Sequence, residues 1–140
     1  MVQFHECQPA ATESDIKELE ARLGFSVPRG IRTLLLTANG GRPSPMIFGG
    51  IHGTDVSECL ALRDGRGSIW WTYELLAKKH NSIPAHFLPF AVDSFGNTFL
   101  VDCRTAEAAV YILLHELPSK IQSLRVNFDE FWASLTDLPK

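Results

Sequence analysis

One stretch of the chain, residues 12–41, restricts the possible folds more than any other, because it carries helix start and stop signals in succession. Thr12 is a good N-cap residue, and Asp15, three positions later, gives a weak form of the capping box. Apolar residues then recur at helical spacing up to Leu23, and Gly24 ends the helix. This pattern predicts a first helix with one apolar face.

A second helix is predicted after a short turn. Pro28 suits its first turn, because the fixed φ of proline is already helical. The residues that follow repeat the helical spacing of apolar side chains. Asn39, Gly40 and Gly41 end the helix, since Asn and Gly accept the left-handed conformation. The two helices carry apolar stripes, which a third surface must cover.

The second half of the chain predicts an antiparallel sheet. Phe87–Asp93 and Thr98–Cys103 are joined by a short turn in which Gly96 can take a positive φ, and this arrangement predicts a hairpin. Ala109–Leu114 is a near-continuous apolar run, typical of a strand that is buried on both faces or lies in the centre of a sheet. The run near Met46–Ile51 predicts a further strand of the same sheet. The fold class expected is α+β, with helices packed on a mostly antiparallel sheet.

Two more helices are predicted. The first begins after Ser68 and carries an apolar face that ends with His80, which is expected to be a core or rim histidine. The second begins at Asn127, which forms a capping pair with Glu130, and an apolar stripe extends it to Leu135.

Other segments lack clear periodicity. Residues 1–11 are expected to fray, although Phe4 can pack on the domain. Arg42–Pro45 has two prolines and is predicted to be a loop. Val56–Leu60 fits either one helical turn or a short strand. Pro118 breaks the chain before the closing helix.

The order and spacing of these motifs resemble the Smi1/Knr4 family, also called SUKH. The helical part shows a Glu-x-x-Leu-Gly helix end, a turn with Pro, an apolar helix and an Asn-Gly-Gly stop. Ile83–Asp102 resembles the family's hairpin and Asn127–Leu135 its closing helix. Gly30 departs from the pattern, since a charged or polar helix former is expected there. The residues that carry the helical resemblance are Glu20, Leu23, Gly24, Pro28, Leu34, Leu35, Asn39, Gly40 and Gly41.

The resemblance implies the same α+β fold and a function in binding. Many bacterial members of this superfamily act as immunity proteins, which bind and neutralise toxins delivered between neighbouring cells or made by the cell itself. Fungal relatives regulate cell-wall synthesis and signalling. What the resemblance implies is therefore a non-enzymatic domain whose partner is a cognate toxin. The alternative is an intracellular regulator or scaffold of the Smi1/Knr4 type, and a small hydrolase is a more distant one.

Length and charge set bounds on the class of protein. A chain of 140 residues suits one domain, with its core at residues 12–136. The net charge of −3 argues against a nucleic-acid-binding protein, which usually has a basic face. The three cysteines are widely spaced and fit reduced thiols, and neither a signal peptide nor a membrane span is indicated. We expect a cytoplasmic protein, a monomer or weak homodimer, without a cofactor, a metal or a membrane partner.

No set of residues predicts catalysis. Asp93 and Asp102 flank the hairpin and could lie close across it, but aspartates at strand ends usually make local hydrogen bonds. Cys103 follows Asp102, whose charge disfavours a thiolate. The five histidines show no paired spacing on a helix face. Glu20, beside the apolar stripe of the first helix, is expected to accept amide hydrogen bonds from the start of the second helix or to pair with Arg32.

The sequence offers one candidate surface for a partner. Trp71 falls nearly opposite the apolar face of its helix, so it is either covered by the glycine-rich segment before it or exposed as an aromatic anchor beside Trp70. The acidic residues Asp55, Glu58 and Asp64 are close to these tryptophans in sequence. Their charge would attract the basic cleft of a toxin that acts on nucleic acids.

Overall fold

The structure, a computed structural model, describes residues 2–50, 53–116 and 118–137. These residues form an α+β fold, as predicted, with a five-stranded antiparallel sheet in the order β5-β6-β7-β8-β9. In chain order the elements are β1 (Gln3–His5), α1 (Glu13–Leu23), α2 (Arg29–Thr37), β2 (Arg42–Ser44), β3 (Ile47–Phe48), β4 (Thr54–Asp55), β5 (Glu58–Cys59), α3 (Ile69–Tyr73), a π-helical segment (Glu74–Lys79), β6 (Phe87–Val92), β7 (Thr98–Asp102), β8 (Ala109–Leu114), β9 (Lys120–Asn127) and α4 (Phe128–Ala133). No helix in these described ranges is both long and apolar enough to cross a bilayer.

The first helix begins and ends as its sequence predicts. Thr12 Oγ1 accepts a hydrogen bond from Asp15 N at 3.1 Å, and Thr12 N donates to Asp15 Oδ2 at 2.8 Å, so the capping box is complete. Gly24 takes the left-handed conformation with φ of 85° and closes α1. Pro28 is the N-cap of α2.

The sheet is covered on both faces. β7 lies at its centre, and all five of its residues are buried. Phe99 and Val101 belong to the main core, which the helices share, whereas Leu100 belongs to a smaller cluster with Ile83 and Phe87. β8 runs between β7 and β9, as its near-continuous apolar run predicts. Burial on both faces explains why Phe99–Val101 in β7 form a continuous apolar run rather than an alternating pattern, whereas Ala109, Tyr111 and Leu114 in β8 are half-buried.

Long-range pairing orders the N-terminal region, so two sequence predictions are wrong. The predicted fraying of residues 1–11 is wrong for the described residues 2–11, because β1 pairs with β2 and the ring of Phe4 meets that of Trp132 edge-on at 5.4 Å. Arg42–Pro45 is not a loop throughout, since Arg42–Ser44 is β2. The two partner strands lie far apart in sequence, and local periodicity does not reveal such a pair.

The composition of the main sheet also differs from the prediction. The run near Met46–Ile51 does not join it: β3 pairs with β4 in a separate ribbon, and Ile51 lies outside the described residues. The outer strand on that side is β5, so Val56–Leu60 contains a short strand. The other outer strand, β9, falls where no element is predicted. Its pattern is hidden by polar residues typical of an edge and by Arg125, whose φ is 59°.

His80 is exposed, contrary to the prediction that it lies on an apolar face. The prediction assumes 100° per residue throughout the helix, but α3 continues as a π-helical segment. His80 N donates to Leu75 O at 2.9 Å, five residues back. A π-helix turns less per residue than an α-helix. The last residues therefore rotate away from the face that Ile69 and Tyr73 bury.

Gly30, which departs from the family pattern, lies against the ring of Phe128. A Cβ at this position would stand 2.5 Å from Phe128 Cδ2. The ring is buried and also lies 5.1 Å from the ring of Phe90 and 5.9 Å from that of Trp132, so it has little room to move. Glycine weakens a helix, but here it allows α4 to approach α2.

Replacing Gly30 by alanine is therefore expected to destabilise the protein. Overpacking of this kind costs about 1–3 kcal/mol, whereas helix propensity alone would stabilise by up to about 1 kcal/mol. Urea unfolding of Gly30→Ala measures whether the free energy of unfolding falls or rises. The matched control is Thr33→Ala, an exposed position of the same helix where propensity acts alone and a slight gain is expected. Equal gains in both variants would show that the Phe128 ring yields.

Candidate functional site

Glu20 joins the two helices of the N-terminal pair. Its Oε2 accepts a hydrogen bond from Val27 N at 2.8 Å, and its Oε1 lies 3.2 Å from Arg32 Nη2. Arg32 also pairs with Glu13 at the start of α1. Both contacts suggested by the sequence are thus present at once. The carboxylate serves the turn between α1 and α2, and each of its oxygens has a partner there.

Asn39 has a role that the sequence does not reveal. Its backbone does not take a positive φ; Gly40 and Gly41 do, at 78° and 91°. Instead, its side chain donates to Pro9 O at 2.9 Å and to Leu62 O at 3.1 Å, and it accepts from Leu62 N at 2.7 Å. This buried amide ties the N-terminal segment to the loop before α3. Such a role depends on segments far away in the sequence.

The two glycines after Asn39 allow close approach of other segments. A Cβ on Gly40 would stand 2.8 Å from the Cβ of Ala61, and one on Gly41 would stand 2.6 Å from His5 O. The family-motif residues of this region therefore serve internal packing.

The two aspartates of the hairpin lie apart, so the idea that they approach each other across it is wrong. Asp102 is opposite Phe87 at one end of the β6–β7 ladder, whereas Asp93 follows Val92 at the other end. Each is buried and accepts hydrogen bonds from residues near it in sequence, and Asp93 also accepts one from Thr54. Asp102 accepts from Arg104 N at 2.9 Å and Arg104 Nη2 at 2.9 Å. The hydrogen bonds of Arg104 hold the pKa of Asp102 below its usual range.

The buried thiol of Cys59 and the half-buried thiol of Cys103 are in unreactive surroundings. Burial raises the pKa of Cys103 to about 12, and the charge of Asp102 adds to this effect. Burial likewise raises the pKa of Cys59. A thiolate is the nucleophilic form, so neither side chain is set up as a nucleophile.

The histidines do not converge. His5, His80 and His115 are exposed and His86 is half-buried, while His52 lies outside the described residues. In the part of the chain that the structure describes, no group of three or more His, Cys, Asp or Glu side chains is placed to hold a metal ion.

Two of the predicted partner-binding residues, Asp64 and Trp70, share a cleft of about 250 Å³ between α1 and α3. The guanidinium carbon of Arg22 lies 5.8 Å from the centre of the Trp70 ring, and Arg22 also pairs with Glu18 at 3.6 Å. Trp70 is half-buried. The cleft therefore combines carboxylates with an aromatic ring that already holds a cation.

Trp71 is half-buried and does not line that cleft. The guanidinium carbon of Arg66 lies 5.5 Å from the centre of its ring. Arg66 belongs to the glycine-rich segment, which therefore covers the ring in part.

Asp55 and Glu58 lie beside the turn between β6 and β7. The carboxylate of Asp55 accepts from Ser94 N at 2.9 Å and from the Ser94 hydroxyl. Glu58 is exposed and stands opposite Val92 in the β5–β6 ladder. The five predicted residues thus fall into at least two places: Asp64 with Trp70 in the cleft, and Asp55 with Glu58 beside the hairpin turn.

A further cleft, of about 680 Å³, lies where α2, α4 and β1 meet, and sequence reasoning misses it because it depends on β1. Among the described residues, the buried indole N–H of Trp132 has no hydrogen-bond partner. The side chains lining this cleft include Phe4, Leu34, Phe128 and Trp132 with Arg29, Glu107 and Asp129.

The fold and these contacts define a small α+β domain whose buried polar side chains hold loops and turns in place. The sequence model of the SMI1 / KNR4 family (SUKH-1) matches residues 10–134, and the chain belongs to this family. The family is generally a non-catalytic binding family. The comparison with curated proteins gives no matching relative.

The contacts of Glu20 predict a graded loss of stability. Glu20→Ala leaves the Val27 N–H without its acceptor and should lower the free energy of unfolding by about 1–3 kcal/mol. Glu20→Gln keeps an acceptor but loses the charge that faces Arg32, so its loss should be smaller. Chemical denaturation compares both with Glu18→Gln, an exposed residue of the same helix. Equal effects at positions 18 and 20 would contradict a structural role for Glu20.

The lowered pKa of Asp102 predicts a dependence of stability on pH. The unfolded chain has the ordinary aspartate pKa of about 3.9, and the folded pKa lies below it. The contribution of Asp102 is therefore complete above the unfolded pKa and is lost as pH falls through the folded pKa. Asp102→Asn should be less stable than the parent at pH 7, and the difference should narrow in acid.

Urea melts from pH 7 down to pH 3 measure this difference. Asp137→Asn, at an exposed position, is the control and should track the parent at every pH. A constant gap between Asp102→Asn and the parent would contradict the assignment.

Proposed function

We propose that this protein is an immunity protein that binds a cognate bacterial toxin directly and neutralises it. The observation that carries the proposal is membership of the SMI1 / KNR4 (SUKH-1) family over residues 10–134, since many bacterial members of the superfamily have this role. The arrangement of the motif residues agrees with binding. Glu20, Asn39, Gly40 and Gly41 hold the scaffold, so that the surface is left for recognition.

Neutralisation takes place in a one-to-one complex in the cytoplasm, without a cofactor and without modification of the toxin. The domain acts as a monomer or weak homodimer. Its net charge of −3 favours association with a basic partner. Toxins that act on nucleic acids need basic clefts to hold phosphates. An acidic domain is steered towards such a cleft, and its association rate falls as salt is added.

The contact surface in this proposal is acidic and aromatic. Asp64 and Trp70 share the cleft between α1 and α3, and Trp71 follows Trp70 in the same helix. Asp55 and Glu58 carry the negative charge towards the β6–β7 turn. Aromatic side chains supply contact area, and the carboxylates supply steering and register.

Co-production with the toxin domain encoded by the neighbouring gene tests the function. Cells that make the toxin domain alone should stop growing, and those that also make this protein should grow. Calorimetric titration should show one-to-one binding that weakens with salt. Trp71→Ala should lower the affinity about fivefold, less than a hot-spot residue would. Asp64→Asn should slow association, whereas Glu107→Gln, the same change of charge in the other cleft, should not.

Growth arrest that this protein does not relieve, together with no binding to the toxin domain, would contradict the immunity role. The intracellular-regulator function would then be the better candidate. Binding whose affinity changes neither with salt nor with Trp71→Ala would contradict the acidic and aromatic surface, but not the immunity role.

A further inference from the structure

Phe95 is an unusual residue on the surface of this domain. The residue is 67% exposed, and no other large apolar residue in ranges 2–50, 53–116 and 118–137 is exposed. It lies in the turn between β6 and β7. A single exposed apolar residue is common and needs no explanation by itself. What sets Phe95 apart is the way its turn is built.

A buried carboxylate organises the turn from within. Asp93 is 5% exposed. Its Oδ1 accepts from Phe95 N at 2.9 Å and Asn97 N at 2.8 Å, and its Oδ2 accepts from Asn97 Nδ2 at 2.9 Å and Thr54 Oγ1 at 2.8 Å. Asp93 N also donates to Asn97 O at 3.0 Å. One side chain thus fixes the backbone on both sides of the exposed ring.

Contacts from neighbouring segments hold the rest of the turn. Asp55, on β4, binds both the backbone N–H and the hydroxyl of Ser94. Asn97 Oδ1 accepts from His115 N at 3.0 Å and lies 3.1 Å from His115 Nδ1. The His115 ring lies against Gly96, where a Cβ would stand 3.3 Å from it. Ser94, Gly96 and Asn97 are therefore each in contact with another part of the fold.

A fixed turn makes the exposed ring suitable for binding. Association costs less conformational entropy when the contacting group is held in place before the partner arrives. Aromatic anchors with only two side-chain torsions to fix supply much contact area at low entropic cost. Trp70 and Trp71 are less free to act as the main anchor, because they are half-buried and lie beneath the guanidinium groups of Arg22 and Arg66.

Charges around the turn indicate the chemistry of the partner. Asp55 binds Ser94, and Glu58 stands opposite Val92 just before the turn. Glu116 lines the hollow beside Phe95, where Lys120 is also present. The excess of carboxylates would complement a pocket edged by Lys or Arg side chains.

A second copy of this chain fits the turn less well. A stable dimer buries about 800 Å² on each partner, whereas Phe95 is a single exposed ring. Across a two-fold axis, the acidic residues beside the turn would also face like charges.

We propose that the β6–β7 turn is the principal contact with the toxin, and that Phe95 enters an apolar pocket of the toxin edged by basic side chains. This assignment rests on the proposed immunity function. It adds Phe95, as an apolar anchor, to the acidic surface that contains Asp55 and Glu58. Asp93 is then a positioning residue, because it holds the backbone around Phe95.

Calorimetric titration with the toxin domain encoded by the neighbouring gene tests the anchor. Phe95→Ala should lower the affinity at least about 30-fold, as at an interface hot spot, with the melting temperature unchanged because the ring contacts mainly solvent. Phe95→Leu should recover part of the affinity. Trp71→Ala is the aromatic control, and its effect should be several-fold smaller than that of Phe95→Ala.

A double-mutant cycle tests the positioning role of Asp93. Asp93→Asn replaces a carboxylate oxygen by an amide donor within the turn and should weaken binding while Phe95 is present. In the Phe95→Ala background the same change should add little, because the group that it positions is gone. Independent, additive losses would show that Asp93 does not act through Phe95 and would overturn its positioning role.

The outcomes separate this assignment from the proposed function. The anchor would be overturned if the parent binds the toxin domain and Phe95→Ala binds it with an affinity within about twofold of the parent's. A larger loss of affinity in Trp71→Ala than in Phe95→Ala would also overturn it. Either result leaves the immunity role standing. No binding by the parent would overturn both. Self-association in analytical ultracentrifugation that Phe95→Ala abolishes would make a second copy the occupant and overturn the toxin assignment.

Discussion

The ring of Phe131 joins parts of the fold that are far apart in sequence. It lies 5.2 Å from the ring of Phe48, 5.2 Å from that of Phe99 and 5.6 Å from that of Phe90. One residue of α4 therefore contacts β3, β6 and β7. Each such aromatic pair adds about 0.5–1.5 kcal/mol beyond the burial of its area. Through Phe128, on the same helix, the cluster also reaches α2, so both the sheet and the helix pair depend on where α4 docks.

Polar side chains that are buried or half-buried hold the loops in place. Half-buried Glu20 holds the turn between the first two helices, and the buried residues Asn39 and Asp93 hold the N-terminal segment and the β6–β7 turn. A buried donor or acceptor left without its partner costs about 1–3 kcal/mol. Each of these side chains binds more than one partner, so it fixes more than one point of the backbone around it. The loops that carry exposed groups are thereby kept in one conformation.

Elements governed by neighbouring residues could be predicted from the sequence, and those governed by distant ones could not. Thr12 with Asp15 and Asn127 with Glu130 cap their helices across three residues, so their signals are local. In the β1–β2 ribbon, Phe4 lies opposite Pro43 and packs against Trp132. Both partners are far from Phe4 in sequence, so a local pattern cannot predict these contacts. The π-helical segment changes the helical period that face predictions assume. The family pattern indicated the α+β class through the order of motifs, whereas the pairing of β3 with β4 required the structure.

The candidate contact at Phe95 illustrates why a binding surface is harder to predict from sequence than the scaffold that carries it. In sequence, Asp93 is an ordinary aspartate at a strand end, and Phe95 is an apolar residue in a turn. Each has an unremarkable explanation when considered alone. Considered together, they form a candidate contact. The buried carboxylate of Asp93 holds the backbone around Phe95, and the Phe95 ring is exposed to water. The motif residues Glu20, Asn39, Gly40 and Gly41 make contacts within the fold, whereas Phe95 is exposed to solvent and is free to meet a partner.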